Sequence, residues 1–383
     1  MTVNRVKVLV FDPSNRNPIH TAHLIDELSK RCSVNVVMPY RREEEEIEAG
    51  KSIGRHRAVA MPPHVKRNMG KIFAYIRGWL YVLTNASRFD IIHVEWLSLM
   101  NYTGIELILM RKLLRTNPNV VYTIHDVIPL HAENQQRTRV RYERLYKMVP
   151  SIFVHSVYAK GILQSSFLIN PSKIHVIDLA PLLEEKMDPV ASTKDRNAVG
   201  MIGAIKPYKG VIDAIKAFSL IASKTDVKLL LAGGVDSKYK RVISDLISTL
   251  HLTDRVTLTD KYLTTFEVID LHRKLKVALF PYHRITQSGA VLVALNFGIP
   301  VVAYDVGGIP ELIDIGRTGY ISKVGDIEGF AKNILEILAD QHTDYYQRCR
   351  MSVQHRSWSN FASQVLDVYQ EILRPRAGHS GLG

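Results

Sequence analysis

The sequence predicts an α/β protein of two domains, each built on a parallel sheet, and three observations carry that prediction. Apolar, β-branched runs alternate with helical patterns along all 383 residues, the way strands joined by crossover helices read. The runs fall into two series separated by residues 178–196, a polar stretch with prolines at 181 and 189. A composition that is 46% hydrophobic and 23% charged supplies enough apolar side chains, at this length, for two cores.

In the first series strands are expected at 6–11, 34–38, 91–94, 120–124, 152–155 and 175–177. The second series follows at 198–205, 227–232, 256–259, 276–281 and 300–304, each strand leading into a loop and usually a helix. Residues 290–297 are apolar, end at Gly298 and run into the strand at 300, the punctuation of a βαβ unit. Apolar spacing at Phe361, Val365, Val368 and Ile372 predicts a helix over 358–373. The expected organisation is a first domain over 1–180, a linker over 181–196, a second domain over 197–356, a closing helix over 357–373 and a flexible tail over 374–383. No solenoid repeat interrupts it.

No apolar run approaches the roughly 18 residues needed to cross a bilayer, and residues 1–5 lack a signal-peptide pattern. A cytoplasmic protein is expected. The two cysteines, Cys32 and Cys349, have no partners at metal-ligand spacing, so neither a disulfide framework nor a zinc site is read and both thiols are expected buried and reduced. The net charge is +13. Residues 1–150 hold 23 Lys and Arg against 14 Asp and Glu, an excess of +9, although five of those acids form one run at Glu43–Glu46 and Glu48. Such a first half suits an anionic partner, for which a nucleic acid is not expected. Residues 64–83 set Lys66, Arg67, Lys71 and Arg77 against Ile72, Tyr75, Ile76, Trp79, Leu80 and Leu83. That basic amphipathic helix suits an anionic membrane surface, but a helix that covers a sheet is the leading reading, since such a helix needs an apolar face and tolerates a basic one.

Three strand-to-helix loops in the second half carry the chemistry. Phe280-Pro-Tyr-His-Arg-Ile-Thr-Gln-Ser-Gly289 offers the Thr286 and Ser288 hydroxyls, the Gln287 amide and, at Gly289, a bare backbone at a helix N-terminus. That set suits a phosphate, or an ordinary helix cap. Gly203-Ala-Ile-Lys-Pro-Tyr-Lys-Gly210 adds Lys206 and Lys209 at a second helix start. Cations there oppose the helix dipole unless an anion accompanies them. The two loops together make a metal-free pyrophosphate clamp, in which a lysine stabilises the charge on a leaving nucleoside diphosphate. Asp305-Val-Gly-Gly-Ile-Pro-Glu311 places Glu311 at what reads as a further helix start, as a cap or as a ligand to sugar hydroxyls.

Lys-Pro-Tyr-Lys-Gly, Pro-Tyr followed by Thr-Gln-Ser-Gly, Gly-Ile-Pro-Val-Val-Ala, and Val-Gly-Gly-Ile-Pro-Glu-Leu-Ile with Gly-Arg-Thr-Gly-Tyr resemble, in this order, the donor domain of glycosyltransferase family four. The resemblance is strong over 197–326 and looser in the first half. It implies the GT-B fold, two Rossmann-like domains facing a cleft, with the last helix returning to the first domain. It also implies retaining transfer of a hexosyl group from a nucleoside diphosphate sugar to a hydroxyl of a glycan or lipid-linked glycan, without a metal or other cofactor. Lys209 matches the family's shared lysine. Tyr122-Thr-Ile-His125-Asp126 resembles the family's Val-His-Asp loop, which implies that His125 lies beside the transferred sugar with Asp126 next to it, and His155 resembles another cleft-facing position. Two departures stand out. Val293 occupies the place of the glutamate that binds ribose in most members, and Leu179-Ala180 replaces a common His-Gly.

The loop over 12–20 lacks the G-x-G-x-x-G fingerprint, which argues against a dehydrogenase. A nucleotide-sugar epimerase or phosphorylase of the same fold, or a non-catalytic scaffold that lost its chemistry with the glutamates, are the rival readings.

Overall fold

The computed structural model describes residues 5–13, 17–38, 56, 67–127, 135–183, 196–340 and 344–374. The glutamate run, residues 64–66, the linker from 184 to 195 and the tail beyond Arg374 lie outside them. The first series of elements is β1 (Lys7–Phe11), α1 (Pro18–Ser29), β2 (Ser33–Val37), α2 (Arg67–Asn85), β3 (Ile91–Val94), α3 (Ile105–Thr116), β4 (Val120–Thr123), α4 (Gln135–Met148), β5 (Ser151–Val154), α5 (Val157–Phe167) and β6 (Ile174–Val176). The second runs β7 (Ala198–Ile202), α6 (Val211–Ser219), β8 (Lys228–Ala232), α7 (Ser237–Thr249), β9 (Val256–Thr259), α8 (Thr265–Arg273), β10 (Leu275–Phe280), α9 (Gly289–Asn296), β11 (Val301–Tyr304), β12 (Gly319–Ser322), α10 (Ile327–Ala339) and α11 (Tyr345–Val353). The chain closes with α12 (Trp358–Leu373).

These elements form two compact units, Met1–Asp178 with Trp358–Gly383, and Leu179–Ser357. Each holds one six-stranded sheet, and every strand pair in both is parallel. The α/β architecture expected from the alternating runs is therefore the one formed. Strands β3, β4 and β5 are buried along their whole length, which is why they read as unbroken apolar runs rather than alternating ones.

In the first unit the strand order is β2-β1-β3-β4-β5-β6, and the order reverses between β1 and β3. In the second it is β12-β11-β10-β7-β8-β9, reversing between β7 and β10. The carboxyl ends of the strands at such a reversal leave a crevice that neighbouring crossovers cannot fill, and ligands of open α/β sheets bind there.

Several expectations need correction. The strand expected over 198–205 stops at Ile202, and the fourth strand of the second series ends at Phe280, because the motif loops begin at those points. The twelfth strand, β12, was not expected. Its first two residues, Gly319 and Tyr320, end Gly-Arg-Thr-Gly-Tyr, which reads as a turn, and only pairing with β11 makes the four a strand. Helix α2 covers the sheet with one face and leaves apolar side chains exposed on the other. Trp79 and Val82 are buried, with the Trp79 ring 4.7 Å from Phe11, whereas Ile72, Phe73, Ile76 and Leu80 are exposed. Cys32 and Cys349 are both buried and free.

Helix starts follow local chemistry. Asn17 accepts from the His20 N–H with Pro18 in the first turn, Ser156 caps α5 through the Ala159 N–H, and Thr264 with Glu267 forms a capping box on α8. Helix α6 has no side-chain cap. It starts from Gly210 in the left-handed conformation (φ 68°), where a Cβ atom would lie 1.8 Å from the Pro281 carbonyl oxygen.

Gly210→Ala should therefore cost at least about 1–2 kcal/mol for the backbone conformation alone, with the clash added. Gly161→Ala, inside α5 where an added Cβ meets nothing within 4 Å, should stabilise by roughly 0.5–1 kcal/mol. Urea denaturation of both variants checks the opposite signs.

Candidate functional site

In the second unit the three motif loops meet at the carboxyl edge of the sheet. The backbone of Gly210 packs on Pro281, and the His283 N–H donates to the Tyr208 carbonyl at 2.7 Å, which joins the first loop to the second. Gly307 (φ 62°) packs on the Ile285 carbonyl, where a Cβ would lie 2.2 Å away, and the Gly308 N–H donates to the Thr286 carbonyl at 3.0 Å. The second loop is thus clamped from both sides by backbone contacts that side chains on those glycines would prevent.

Gly203 opens the first loop, Lys206 follows it, and Lys209 ends a single 3₁₀ turn over Pro207–Lys209. Lys209 is half-buried, its ammonium 5.5 Å from the centre of the Tyr282 ring, and neither lysine forms an ion pair among the described residues. Burial, and then the neighbouring Lys206, pull the Lys209 pKa from 10.5 to about 8. A cation kept away from water with no protein anion beside it is placed for an anionic ligand.

Thr286 and Ser288 are buried at the entrance to α9. Ser288 occupies the N-cap position, yet its side chain makes no capping bond, so the capping reading of this loop fails. An added Cβ at Gly289 would touch only the Leu179 side chain, at 3.6 Å. Gln287 presents a carbonyl oxygen that is buried without a partner. Glu311 is exposed in a 3₁₀ turn over Pro310–Leu312, and the next α-helix begins only at Ile327, so Glu311 caps no helix. Val293 is buried within α9.

In the first unit a polar cluster lies inside the carboxyl end of the sheet. Glu95 follows β3 and is 1% exposed. Its Oε1 accepts from the Thr123 hydroxyl at 3.2 Å and lies 3.0 Å from His93 Nε2; its Oε2 lies 2.7 Å from His125 Nε2. His93 Nδ1 is 2.6 Å from the Tyr369 hydroxyl of α12. Every group is satisfied if His93 and His125 carry their protons on Nε2 and Tyr369 donates to His93 Nδ1. Trp96 stacks on the His125 ring at 4.1 Å. His155 lies at the end of β5, its Nδ1 3.1 Å from the Ile177 carbonyl, and Asp126 is half-buried beside His125 in the chain.

Burial opposes ionisation of Glu95, but its contacts with His93 and His125 outweigh it and hold the carboxyl well below the usual range. Burial keeps His20 far below the usual histidine value, and burial followed by His125 lowers His155 from 6.5 to about 4. Of this cluster the sequence pointed to His125, Asp126 and His155. His20, His93, Glu95 and Tyr369 were missed, although a histidine and a glutamate at the end of an apolar strand, His93-Val-Glu95, were a visible signal of buried polarity.

Two parallel sheets, each with polar loops gathered at its switch point, define the class as the two-domain fold known as GT-B. Residues 18–179 match the family model Glycosyltransferase Family 4, and residues 184–356 match Glycosyl transferases group 1. The chain belongs to the glycosyltransferases built from these two domains. It is 33% identical over 177 residues to an N-acetyl-alpha-D-glucosaminyl L-malate synthase of Bacillus anthracis, covering 45% of each chain. The matched region spans about half the length of that relative and of a Staphylococcus aureus capsular polysaccharide glycosyltransferase. Among solved structures, a Rickettsia africae glycosyltransferase superposes with a TM-score of 0.73 at 16% identity, over 97% of this chain and 100% of that one. Anabaena HepE in complex with UDP-glucose does so with a TM-score of 0.73 at 17% identity, over 95% and 99%.

The buried groups of the first unit act on stability with opposite signs: burial raises Glu106 from 4.5 to about 7, which adds stability as pH falls toward 4.5, whereas His155 and Glu95 act the other way. The unfolded chain binds protons that folded His155 refuses between pH 6.5 and about 4, and folded Glu95 stays ionised below the ordinary 4.5. Both effects lower stability as pH falls. All three tryptophans, at 79, 96 and 358, lie in this unit, so tryptophan-detected urea unfolding of a Glu106→Gln variant, which removes the opposing group, should show a loss beginning near pH 6.5 and continuing below 4.5. His155→Gln should flatten the upper part of that slope. Equal stability of the Glu106→Gln variant at pH 7 and pH 5 would contradict the assignment.

Proposed function

We propose that the chain is a retaining hexosyltransferase that takes its sugar from a nucleoside diphosphate sugar and passes it to a hydroxyl of a glycan or lipid-linked glycan. The observation that carries this reading is Lys209, a half-buried cation without an ion-pair partner, set among three loops at the switch point of the second unit. Lys209 and Lys206 neutralise the diphosphate, while Thr286, Ser288 and the first N–H groups of α9 from Gly289 supply hydrogen bonds. The Gln287 carbonyl suits a hydroxyl of ribose or sugar better than a phosphate, and Glu311 remains a candidate for sugar hydroxyls. Because Val293 is apolar and buried, ribose is held by some other group than the usual glutamate.

In the reaction the bond from the anomeric carbon to the diphosphate breaks and a bond to the acceptor oxygen forms on the same face. The acceptor proton passes to a leaving phosphate oxygen, so retention needs no carboxylate pair. Charge accumulates on the diphosphate as this happens, where the lysines stabilise it most. His125 is the residue of the first unit assigned to the transferred sugar, with Glu95 fixing its tautomer, and Asp126 and His155 as neighbours. A uridine nucleotide is the first donor to test, since HepE was solved with UDP-glucose.

The location assigned is the cytoplasmic face of the cell membrane. No described helix is long and apolar enough to cross a bilayer. A groove between α3 and α4, of about 860 Å³, is lined by Ile108, Leu114 and Met148 together with Arg111, Arg115 and Arg144. With the exposed apolar side chains of α2, it offers the mixed basic and apolar surface that anionic lipid attracts.

Calorimetric titration of UDP tests the central reading. Lys209→Ala should lose a charge-assisted interaction worth roughly 1.5–3 kcal/mol, about tenfold or more in Kd, and Lys206→Ala and Ser288→Ala should weaken binding too. Wild-type affinity in all three folded variants would remove the diphosphate site. The same lysine should weaken the fold without ligand, because below pH 8 it is charged where burial disfavours charge. Lys209→Met should therefore raise the Tm of the ligand-free protein at pH 7, with the gain shrinking between about pH 8 and 10.5.

Phosphatidylserine vesicles test the membrane assignment. The protein should sediment with them at low salt and be released as salt rises, and failure to bind at either salt would end that assignment.

A further inference from the structure

Three buried side chains of the first unit, His20, Glu95 and His125, bring one potential ligand atom each to within 4.8 Å of one another. They come from α1 and from the ends of β3 and β4, so their separation in the chain follows no metal-motif spacing. The carboxylate is oriented for ligation. Its Oε1 is occupied by Thr123 and His93, which turns Oε2 toward His125 at 2.7 Å and His20 at 3.9 Å. Hydrogen-bonded support of that kind behind a ligating carboxylate is typical of metal sites.

His20 supplies an independent observation. It is 1% exposed, and neither ring nitrogen has a hydrogen-bond partner. The rings around it, His125, His155, Trp358 and Phe361, pack edge to face at centroid distances of 5.1–6.0 Å and satisfy neither nitrogen. His155 repeats the pattern on a smaller scale. Its Nδ1 is engaged by the Ile177 carbonyl and its Nε2 is buried without a partner. An imidazole whose one nitrogen is fixed by a carbonyl offers its other lone pair to a cation.

We propose that this cluster is a binding site for a divalent transition-metal ion, with His20, Glu95 and His125 as its ligands. Two imidazoles and one carboxylate favour Zn²⁺, Co²⁺ or Ni²⁺ over the oxygen-seeking Mg²⁺ and Ca²⁺. Bonds of about 2.0–2.1 Å in a tetrahedral site separate ligand atoms by about 3.3 Å. The contact of His125 with Glu95 must open slightly and His20 must close in, shifts within reach of side-chain rotation. On binding, the His125 proton moves from Nε2 to Nδ1, and Nε2 gives its lone pair to the ion. No electron is transferred. The cysteine spacing that spoke against zinc in the sequence bears only on thiolate sites.

The ion and the His125–Glu95 hydrogen bond compete for the same two atoms. Metal binding is independent of the transferase reading; if that reading holds, a bound ion also withdraws His125 from the sugar and inhibits transfer.

The test uses the untagged full-length chain, stripped with a chelator and dialysed. Zn²⁺ titrated by calorimetry should bind at one equivalent per chain with micromolar affinity or better, and Co²⁺ should give visible absorption of a low-coordinate site. Millimolar Mg²⁺ should not compete. His20→Ala and Glu95→Gln should each weaken Zn²⁺ binding at least about tenfold, whereas His283→Ala, at an exposed His–Asp pair in the other unit, should leave it unchanged. Circular dichroism confirms that each variant folds, and His20→Asn replaces His20→Ala if the latter does not. Absence of stoichiometric binding, or binding undiminished by loss of His20 in a folded variant, would overturn the site. Zinc binding with normal UDP affinity but no transfer activity under any condition would instead count against the transferase reading alone.

Discussion

The close approach of Gly210 to Pro281 is the contact on which the architecture of the second unit's loops depends. At the reversal of strand order between β7 and β10, two chains leave neighbouring strands and must turn into α6 and α9 without filling the crevice between them. With no Cβ at 210, the backbones touch directly, and the Tyr208–His283 hydrogen bond locks the contact. Gly307 repeats the device on the other side of the second loop. The polar groups of the three loops are thereby held at the crevice by main chain rather than by flexible side chains, which favours an ordered site before any ligand arrives.

That rigidity explains an electrostatic imbalance. Lys209 is fixed beside the Tyr282 ring, partly withdrawn from water, with Lys206 as its charged neighbour. A fold selected for stability alone would supply a carboxylate there. Burial of this cation with Lys206 beside it weakens the fold, and under the proposed reading the diphosphate supplies the countercharge, which would couple affinity and stability through one side chain.

The first unit solves the opposite problem. At the carboxyl end of its sheet the buried charge is the carboxylate of Glu95, and Thr123, His93 and His125 compensate it. Tyr369 extends the network into α12, whose packing against α1 is tied by the Arg31–Ser363 hydrogen bond of 2.9 Å. The closing helix thus completes the polar core of this unit as well as its apolar one. Removing any donor leaves the others facing an unbalanced charge, which is why such networks resist single substitutions poorly.

The sequence by itself determined the two-sheet α/β class, nearly all the strands, the helix over 358–373 and the three loops at 203–210, 281–289 and 305–311. These are local properties: apolar runs for strands buried on both faces, and glycine, proline and lysine at strand ends. It did not reveal β12, whose four residues become a strand only by pairing with β11. It assigned Glu311 to a helix start that the chain does not form, because a Pro-Glu pair after a glycine turn signals both a helix and a 3₁₀ turn. Nor did it bring His20, His93, Glu95, His125 and Tyr369 together, since they stand on four elements or their ends, up to 349 positions apart, and no periodicity links them. Strand order alone decides which strand ends become neighbours, and strand order is set by long-range packing that leaves no local trace in the chain.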